Sequence, residues 1–238
     1  MATFVALEGP DGVGKSTLYG NLCIKLTAKG YINPGATKFG VEVRKLIKSN
    51  LDISQYATQI LMAADFVNFI ETMAAEDNKV KDRIVILDRA NFISGFIYGS
   101  SSGLSCEELK PFQRIIWEAL NKHNIMIHII NITAPLSVIN KRRAKRLGNK
   151  DRFEKRGNSF QKSVYTHYLN LSNPCLTRHL NTEHYGSNIP RFGNNTSVWN
   201  LDGSKNEKQM VEYATKIIKN IHVLQLHDAF FREHLDKT

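Results

Sequence analysis

The sequence predicts an α/β sandwich whose β-sheet is mostly parallel. The first observation is a set of short stretches rich in valine, isoleucine and leucine, which are typical of buried strands: 3–7, 83–87, 125–132 and 197–201. The second is that segments with apolar residues at helical spacing separate these stretches. Because a crossover between parallel strands is usually a helix, the alternation indicates helices packed on a parallel sheet.

The expected helices cover 18–28, 41–48, 56–75 and 160–171, one segment that begins at Leu136, and one that follows a turn at 202–204. A turn at 33–37 precedes the second of them. The segment 56–75 is strongly apolar, so it serves either core packing or an oligomer contact. The tail, 222–238, is expected to form one further helix.

A glycine-rich loop connects the first expected strand to the first expected helix. It reads Gly9-Pro10-Asp11-Gly12-Val13-Gly14-Lys15-Ser16 and runs on into Thr17. The pattern G-x-x-x-x-G-K-S/T binds phosphate because its glycines allow backbone N–H groups to turn inward, and the helix N-terminus adds a favourable dipole. Lys15 can reach the outer phosphates, and the Ser16 hydroxyl can ligate Mg²⁺. The loop therefore predicts a nucleoside triphosphate site.

A carboxylate and a guanidinium, Asp88 and Arg89, follow the second expected strand. Ligands of parallel sheets bind at the carboxyl ends of the strands. Asp88 could support Mg²⁺, directly or through water, and Arg89 could hold a phosphate through two hydrogen bonds. An ion pair that only caps the strand is the simpler alternative.

The chain is basic, with a formal net charge of +10 at pH 7 over 238 residues. Such a charge fits three kinds of partner: nucleic acid, an anionic membrane or phosphorylated small molecules. The densest group of lysines and arginines lies between 141 and 156. It could be an ordinary solvated surface, but beside a nucleotide loop it fits phosphoryl transfer, whose catalysis consists mostly of positioning and charge neutralisation.

Composition disfavours several other classes of protein. No apolar run approaches the length of a membrane span, and the start of the chain lacks the pattern of a signal peptide, so a soluble cytoplasmic protein is expected. The three cysteines form no C-x-x-C pair and the histidines lack ligand spacing, which argues against a disulfide framework or structural zinc. One domain is expected over 1–238, with 174–196 as an exposed excursion.

Several motifs follow one another along the chain. After G-P-D-G-V-G-K-S-T come N-P-G-A-T, L-D-R, T-A-P with the basic run K-R-R-A-K-R, D-R-F-E and W-N-L-D-G-S-K. Their order and spacing resemble those of the thymidylate kinase family from about residue 3 to about 220. The resemblance implies a P-loop kinase fold, a three-layer sandwich with a mostly parallel sheet of about five strands. It also implies a small lid over about 141–156, an insertion over about 174–196 and an extra tail over about 222–238.

The resemblance further implies an activity, the phosphorylation of dTMP to dTDP with ATP as donor and Mg²⁺ as cofactor. It implies a homodimer, and neither a membrane nor nucleic acid is expected as a partner. Metal contacts would come from Ser16 and Asp88, and Arg89 would act on the acceptor phosphate, with Lys15 on the donor. The residues implied in ATP binding are Gly9, Asp11, Gly12, Val13, Gly14, Lys15, Ser16, Thr17 and, from the lid, Arg143.

Other roles follow from the resemblance residue by residue. Asp11 matches the acidic loop residue that meets the 3′-hydroxyl of the acceptor sugar. Some family members carry a catalytic arginine directly after it, where this chain has Gly12, so the arginine must come from the lid. Arg146 and Arg152 are the first candidates, and Arg143 is next.

The base-binding segment departs from the family. Met62 and Phe66 match the positions where the family has an aromatic residue and then an arginine, so a guanidinium expected on the base is absent. Either Asn68 or another polar side chain replaces it, or base selection is looser. Phe153 matches the aromatic residue beside the sugar 2′ position, and Lys38 could replace a missing phosphate-binding arginine.

Two alternatives therefore remain beside a dTMP kinase. One is a deoxynucleoside monophosphate kinase of broader base preference, which the missing arginine favours. The other is a P-loop ATPase that binds nucleic acid, for which the net charge is the main support.

Overall fold

The fold is that of a computed structural model, which describes residues 3–76, 83–145, 152–153, 155–171, 191–192 and 196–235. The strands are β1 (Thr3–Glu8), β2 (Lys29–Ile32), β3 (Ile84–Asp88), β4 (Ile127–Thr133), β5 (Arg191–Phe192) and β6 (Thr196–Asp202). The helices are α1 (Lys15–Lys25), α2 (Lys38–Lys48), α3 (Gln55–Ala75), α4 (Asn91–Ser101), α5 (Cys106–Lys122), α6 (Leu136–Lys145), α7 (Asn158–Leu169) and α8 (Glu207–Leu235). In these ranges no helix has the length and apolar character that crossing a bilayer requires.

The strands form a six-stranded sheet in the order β2-β3-β1-β4-β6-β5. The first five in that order run parallel, and the two-residue β5 pairs antiparallel with β6. The prediction of a mostly parallel sheet of about five strands is confirmed. Because parallel strands all end at one edge, the loop after β1 and the pair after β3 become neighbours, with Leu7 beside Asp88 in the register.

Apolar side chains of the sheet alternate between two helical layers. Phe4 and Ala6 of β1 belong to a core with residues of α3, α4, α5 and α7, whereas Val5 and Leu7 belong to a core with residues of α1, α6 and α8. Successive side chains of a strand point to opposite faces, so a continuous apolar run can serve both layers. This arrangement is the predicted three-layer sandwich.

Side-chain caps mark the start of several helices. Thr37 and Ser54 accept hydrogen bonds from backbone N–H groups in the first turns of α2 and α3. Ser105 and Glu108 form a reciprocal capping box at the start of α5. These caps satisfy N–H groups that have no partner inside the helix, and those of α2 and α3 lie within a few residues of the boundaries predicted from periodicity.

The helices α4 and α5 were not predicted from the sequence. Every residue from Asn91 to Gly99 of α4 is buried, so this helix has no polar face and shows no amphipathic period. The strand β2, with four residues at the edge of the sheet, was not among the strands expected from the sequence.

The tail is helical as far as Leu235, as expected, but it does not form a separate helix. No glycine or proline interrupts the chain between Ile217 and Leu235, so α8 continues without a break as far as Leu235. His222 joins this helix to the sheet, since its Nδ1 lies 2.8 Å from the Thr3 hydroxyl. Of the predicted excursion at 174–196, only 191–192 and 196 lie within the described residues.

Candidate active site

The glycine loop wraps around the end of β1 and leads directly into α1. Gly9 has φ 147°, and a Cβ at this position would come within 2.3 Å of the Ile132 carbonyl oxygen of β4. Gly14, with φ 109°, is the N-terminal cap residue of α1. A side chain is therefore strained at both positions, and the loop can lie close to the sheet and present its N–H groups at the helix N-terminus.

Lys15 lies across this loop with its side chain only 6% exposed. Its Nζ donates hydrogen bonds to the carbonyl oxygens of Gly9, at 2.7 Å, and Pro10, at 3.0 Å. Burial, together with the positive charge of Arg89, lowers the pKa of Lys15 to about 8. The lysine thus stays in a fixed position at the loop, but its charge is easier to lose than that of a surface lysine.

Ser16 and Asp88 bring two oxygen groups together beside the loop. The Ser16 hydroxyl donates to the Asp88 carboxylate over 3.3 Å, and Asp88 is 8% exposed at the end of β3. Hydroxyl and carboxylate oxygens suit Mg²⁺, which usually keeps water and phosphate oxygens as its other ligands. Groups of three or more possible metal-binding His, Cys, Asp or Glu side chains are absent from the described ranges. The Ser16 and Asp88 pair fits a Mg²⁺ that also takes ligands from a phosphate.

Arg89 reaches back from the end of β3 toward the loop. Its Nη2 lies 2.5 Å from Asp11 Oδ1, and its Nη1 lies 2.8 Å from the Tyr168 hydroxyl. Tyr98 also contacts Asp11, donating its hydroxyl over 2.8 Å. Burial acts to raise the pKa of Asp11, but Arg89 and Lys15 together hold it well below its ordinary value. Asp11 is therefore a carboxylate that lies between two cations.

Glu8 is a buried residue of this site that the sequence did not single out. It is fully buried at the end of β1, and its Oε1 accepts a hydrogen bond of 2.7 Å from the Ala90 N–H. Its Oε2 accepts one of 2.8 Å from the Tyr168 hydroxyl. The available signal was an acidic residue that ends an otherwise apolar strand, which is costly unless the carboxylate has partners.

Two arginines of α6 lie over the glycine loop. Arg142 donates to the carbonyl oxygens of Val13, at 2.8 Å, and Gly203, at 2.7 Å. Arg143 Nε donates to the Asp11 carbonyl oxygen over 2.7 Å. A Cβ on Gly12 would come within 2.7 Å of Arg143 Cγ, so the glycine leaves room for this arginine. Helix α6 thus places two guanidinium groups, those of Arg142 and Arg143, beside the loop.

The other candidate arginines have different surroundings. Arg152 donates to the Thr58 hydroxyl of α3 over 2.8 Å, and its guanidinium lies 5.0 Å from the Phe153 ring centroid. It does not line the cleft described below. Arg146 lies outside the described residues, as do the remaining positions between 147 and 151 of the predicted lid.

The side chains expected near the acceptor base separate into two groups. Phe66 is fully buried and packs on Phe69 and Phe92 in the core, and Asn68 donates to the Thr37 hydroxyl at the start of α2. Met62, 7% exposed, and the partly buried Phe153 share a smaller cluster with residues of α2. Phe153 also meets Tyr98 edge-on, 5.4 Å between ring centroids.

Two cations of α2 were not foreseen. Arg44 and Lys48 line the same cleft as Lys15 and Arg89, and Arg44 donates to the Pro34 carbonyl oxygen over 2.7 Å. Lys38, which was expected to serve a phosphate, is exposed at the start of α2 and does not line the cleft. On a helix, charges of this kind resemble an ordinary solvated face, so their position could be found only from the packing of α2.

The glycine loop, the Asp88 and Arg89 pair and the α2 cations surround a cleft of about 500 Å³ at the carboxyl ends of β1 and β3. Its lining is Asp11, Gly12, Gly14, Lys15, Ser16, Thr17, Leu18, Ile32, Asn33, Arg44, Lys48, Asp88, Arg89, Arg142, Glu207 and Met210. Cations outnumber carboxylates in this lining, which fits a ligand rich in phosphate.

Known proteins with similar sequences point to one family. The family model for thymidylate kinase matches residues 7–185 of this chain. The thymidylate kinase of Exiguobacterium sibiricum is 30% identical over 181 residues, which is 71% of this chain and 81% of the relative. The probable thymidylate kinase of Caldivirga maquilingensis is 29% identical over 177 residues, covering 71% of this chain and 80% of the relative.

A solved structure is similar in fold. The thymidylate kinase from Candida albicans superposes with a TM-score of 0.61 and 20% sequence identity, and the match covers 93% of each chain. At this level of identity the likeness supports the arrangement of strands and helices and nothing finer.

Proposed function

Because the chain belongs to the thymidylate kinase family, we propose that it transfers the γ-phosphoryl group of ATP to dTMP and so forms dTDP. The observation that carries this proposal is the position of Asp11 between two cations. Lys15 Nζ, from the glycine loop, lies 3.8 Å from the Asp11 carboxylate, and Arg89, from the end of β3, lies 2.5 Å from it. Phosphates bound to these two cations would be adjacent, as phosphoryl transfer requires.

The donor ATP would lie with its phosphates in the loop 9–16. The N–H groups at the start of α1 and the Lys15 ammonium supply positive charge there, and Arg142 and Arg143 add two guanidinium groups from the facing α6. Charge in the transition state of phosphoryl transfer is spread over the equatorial oxygens, so such cations lower the barrier.

Ser16 and Asp88 are the residues that would hold Mg²⁺. When Mg²⁺ is bound with ATP at these residues, it would supply positive charge that neutralises part of the phosphate charge.

The acceptor dTMP would place its phosphate at Arg89, with Arg44 and Lys48 on the other wall of the cleft. Asp11 would accept a hydrogen bond from the 3′-hydroxyl of the sugar, and Phe153, which packs on Tyr98, would lie near the 2′ position. No strong general base is needed, because the attacking atom is already a phosphate oxygen. The task of the protein is to align the two phosphates and to exclude water, which would otherwise hydrolyse ATP.

Arg146 and Arg152 remain the proposed catalytic arginines of the lid. The hydrogen bond of 2.7 Å from Arg143 to the loop, beside Gly12, supports Arg143 as a third candidate. Alanine variants of Arg143, Arg146 and Arg152, compared for kcat, would show which arginine is catalytic. The loss of a contact made only in the transition state lowers kcat rather than raising KM.

A second candidate function is a deoxynucleoside monophosphate kinase of broader base preference. It is favoured by two contacts: Phe66 is enclosed by the core, and the amide of Asn68 is engaged with Thr37. Neither side chain is available to contact the acceptor base. The loss of a polar contact to the base weakens discrimination between bases. The Candida albicans enzyme is itself described as having broad substrate specificity. Comparing kcat/KM for dTMP, dUMP, dCMP and dGMP would distinguish narrow from broad preference.

The experiment that tests the proposed function is a direct assay. Purified protein with ATP, Mg²⁺ and dTMP should form dTDP and ADP in equal amounts, and Lys15→Ala should abolish the product while the protein remains folded. Robust ATP hydrolysis with no phosphorylated acceptor would contradict the proposal.

We also propose that the protein is a homodimer and that it is cytoplasmic. An apolar surface formed by α2, α3 and α5 supports the dimer: Phe39, Ile60 and Ile115 are about half exposed there and line a groove of 590 Å³. The compartment agrees with the free thiols of Cys23 and Cys106, and subcellular fractionation would test it.

A further inference from the structure

Arg89 combines an unusual backbone with a fully engaged side chain. Its φ is 77°, a left-handed conformation that non-glycine residues rarely adopt. Three hydrogen bonds hold this turn: Arg89 N donates to Leu7 O over 3.2 Å, Asn33 Nδ2 donates to Arg89 O over 3.3 Å, and the next N–H, of Ala90, donates to Glu8. A strained conformation of this kind persists only where the surroundings determine it.

Glu8 acts on both parts of Arg89. Its Oε1 holds the backbone through the Ala90 N–H at 2.7 Å, and its Oε2 lies 3.5 Å from Arg89 Nη1. The carboxylate is fully buried, so its charge must be balanced from inside the protein. Burial raises the pKa of Glu8, while the Arg89 charge, the Ala90 N–H and the Tyr168 hydroxyl act in the opposite direction.

Tyr168, on α7, completes this arrangement from the other side. Its hydroxyl accepts a hydrogen bond from Arg89 Nη1 at 2.8 Å and donates one to Glu8 Oε2 at 2.8 Å. The side chain is fully buried, and its backbone oxygen is held by Asn131 Nδ2 at 2.9 Å. One phenol thus joins the guanidinium to the buried carboxylate and fixes the position of both.

We propose that Tyr168 and Glu8 are positioning residues that aim the Arg89 guanidinium at the acceptor phosphate. This inference rests on the proposed function, since it assigns Arg89 to the phosphate of dTMP. Arg89 remains 16% exposed to the cleft while these two residues hold it from behind. An arginine that is already aligned loses less side-chain entropy when the phosphate binds, and a small misalignment of a reacting group lowers the rate strongly.

The test is a pair of conservative variants, Tyr168→Phe and Glu8→Gln. Each removes hydrogen-bonding capacity at nearly constant volume, and we expect kcat/KM for dTMP to fall about ten- to a hundredfold, the factor for losing a hydrogen bond to a charged group. KM for ATP should stay within about twofold in Tyr168→Phe, because that variant leaves the loop, Lys15 and the carboxylates that face Lys15 unchanged. The matched control is Tyr165→Phe, which removes a hydroxyl from the same helix with no hydrogen bond to Arg89 or Glu8; its kinetics should equal those of the wild type.

A double-mutant cycle separates positioning from a general structural defect. If Tyr168 acts through Arg89, then Tyr168→Phe should change kcat/KM by less than about twofold in an Arg89→Lys background. An equal loss of kcat/KM from Tyr168→Phe in the wild-type and Arg89→Lys backgrounds would overturn the inference. So would unfolding of both Tyr168→Phe and Glu8→Gln with impaired kinetics for ATP as well as dTMP. Wild-type kinetics in Tyr168→Phe, with an active wild-type enzyme, would overturn this inference alone. A folded wild-type protein that forms no dTDP would overturn the proposed function and this inference with it.

Discussion

Lys15 carries its charge in a buried position, where desolvation and the neighbouring Arg89 oppose it. Three carboxylates face the ammonium, Asp11 from the loop, Asp88 from β3 and Glu8 from β1, and they act to preserve the charge. The balance leaves a pKa of about 8, below the ordinary value of 10.5. The free protein therefore deprotonates this lysine at a pH where an unfolded chain would keep it charged, so this group's contribution to stability rises with pH between these two values.

The first prediction concerns the pH dependence of ATP use. We expect kcat/KM for ATP to fall as pH rises through about 8, because the uncharged lysine no longer attracts the triphosphate. The value of kcat should fall only at higher pH, since the bound triphosphate favours the charged lysine. Tyr98 and Tyr168 do not account for such a change, because their pKa values are raised well above 10.0. Steady-state kinetics from pH 6.5 to 10 test this, and a flat kcat/KM across that range would contradict it.

The second prediction concerns Phe66. Because it packs on Phe69 and Phe92 in the core, Phe66→Leu should reduce the free energy of unfolding by about 1 to 3 kcal/mol, less than full truncation to alanine. The ranking of dTMP, dUMP, dCMP and dGMP as substrates should not change. Denaturant unfolding and kcat/KM for each nucleotide give the two readouts.

The matched control for this variant is Phe69→Leu, one turn along the same helix and equally buried. The two variants should behave alike. If only Phe66→Leu changed the ranking of the nucleotide substrates, the result would instead indicate that Phe66 contacts the base.

At the scale of elements, the helices that supply the site are located by local signals at their starts. The N-terminus of α1 follows a left-handed Gly14, and α2, which carries Arg44 and Lys48, begins at the Thr37 cap. The hydrogen bond from Asn68 of α3 to Thr37 joins these two helices. The position of the α2 cations thus depends on a cap, on this hydrogen bond and on the packing of α2 against Met62 of α3.

The third prediction isolates a cap from the chemistry. Ser105→Ala removes the capping box of α5, which is remote from the cleft, and should cost about 1 kcal/mol of stability. For a chain of this size the unfolding midpoint should fall by about 2 to 4 °C, with kcat and KM unchanged. The control is Glu107→Gln in the same turn, where an 80% exposed side chain contributes little. An equal shift in both variants would argue against the capping box as the cause.

At the scale of the whole molecule, the two faces of the sheet carry different tasks. The layer of α1, α6 and α8 surrounds the glycine loop, whereas the layer of α3, α4, α5 and α7 holds Arg89 and the main core. The exposed apolar residues Phe39, Ile60 and Ile115 lie on the outer side of the second layer. The residues that line this surface are distinct from those that line the nucleotide cleft.

The fourth prediction tests that dimer. Ile60→Glu should convert the protein to a monomer, because a charge would be buried at the centre of the apolar surface. Ile24→Glu, at an 80% exposed position on α1 in the other layer, is the matched control and should leave the mass unchanged. Light scattering after size exclusion gives the mass directly. A monomeric wild-type protein, or a dimer that survives Ile60→Glu, would contradict the proposal.

The sequence alone was sufficient for the parallel sheet, the glycine loop, the Asp88 and Arg89 pair and the family. These features depend on short-range patterns: strand and helix periodicity, glycines with special backbone angles, and a motif whose parts are adjacent in the chain. The carboxyl ends of β1 and β3 had to meet once the sheet was parallel, so the location of the cleft followed as well.

Only the tertiary structure decided which other side chains reach the cleft. Glu8 and Tyr168 are 160 residues apart and share a hydrogen bond, while Arg44 enters from a helix whose charges look like a solvated face. The Phe66 side chain lies in the core, and its orientation depends on how α3 packs on α4. The physical reason is common to these cases: periodicity defines a face of an element, but the packing of distant elements defines what that face meets.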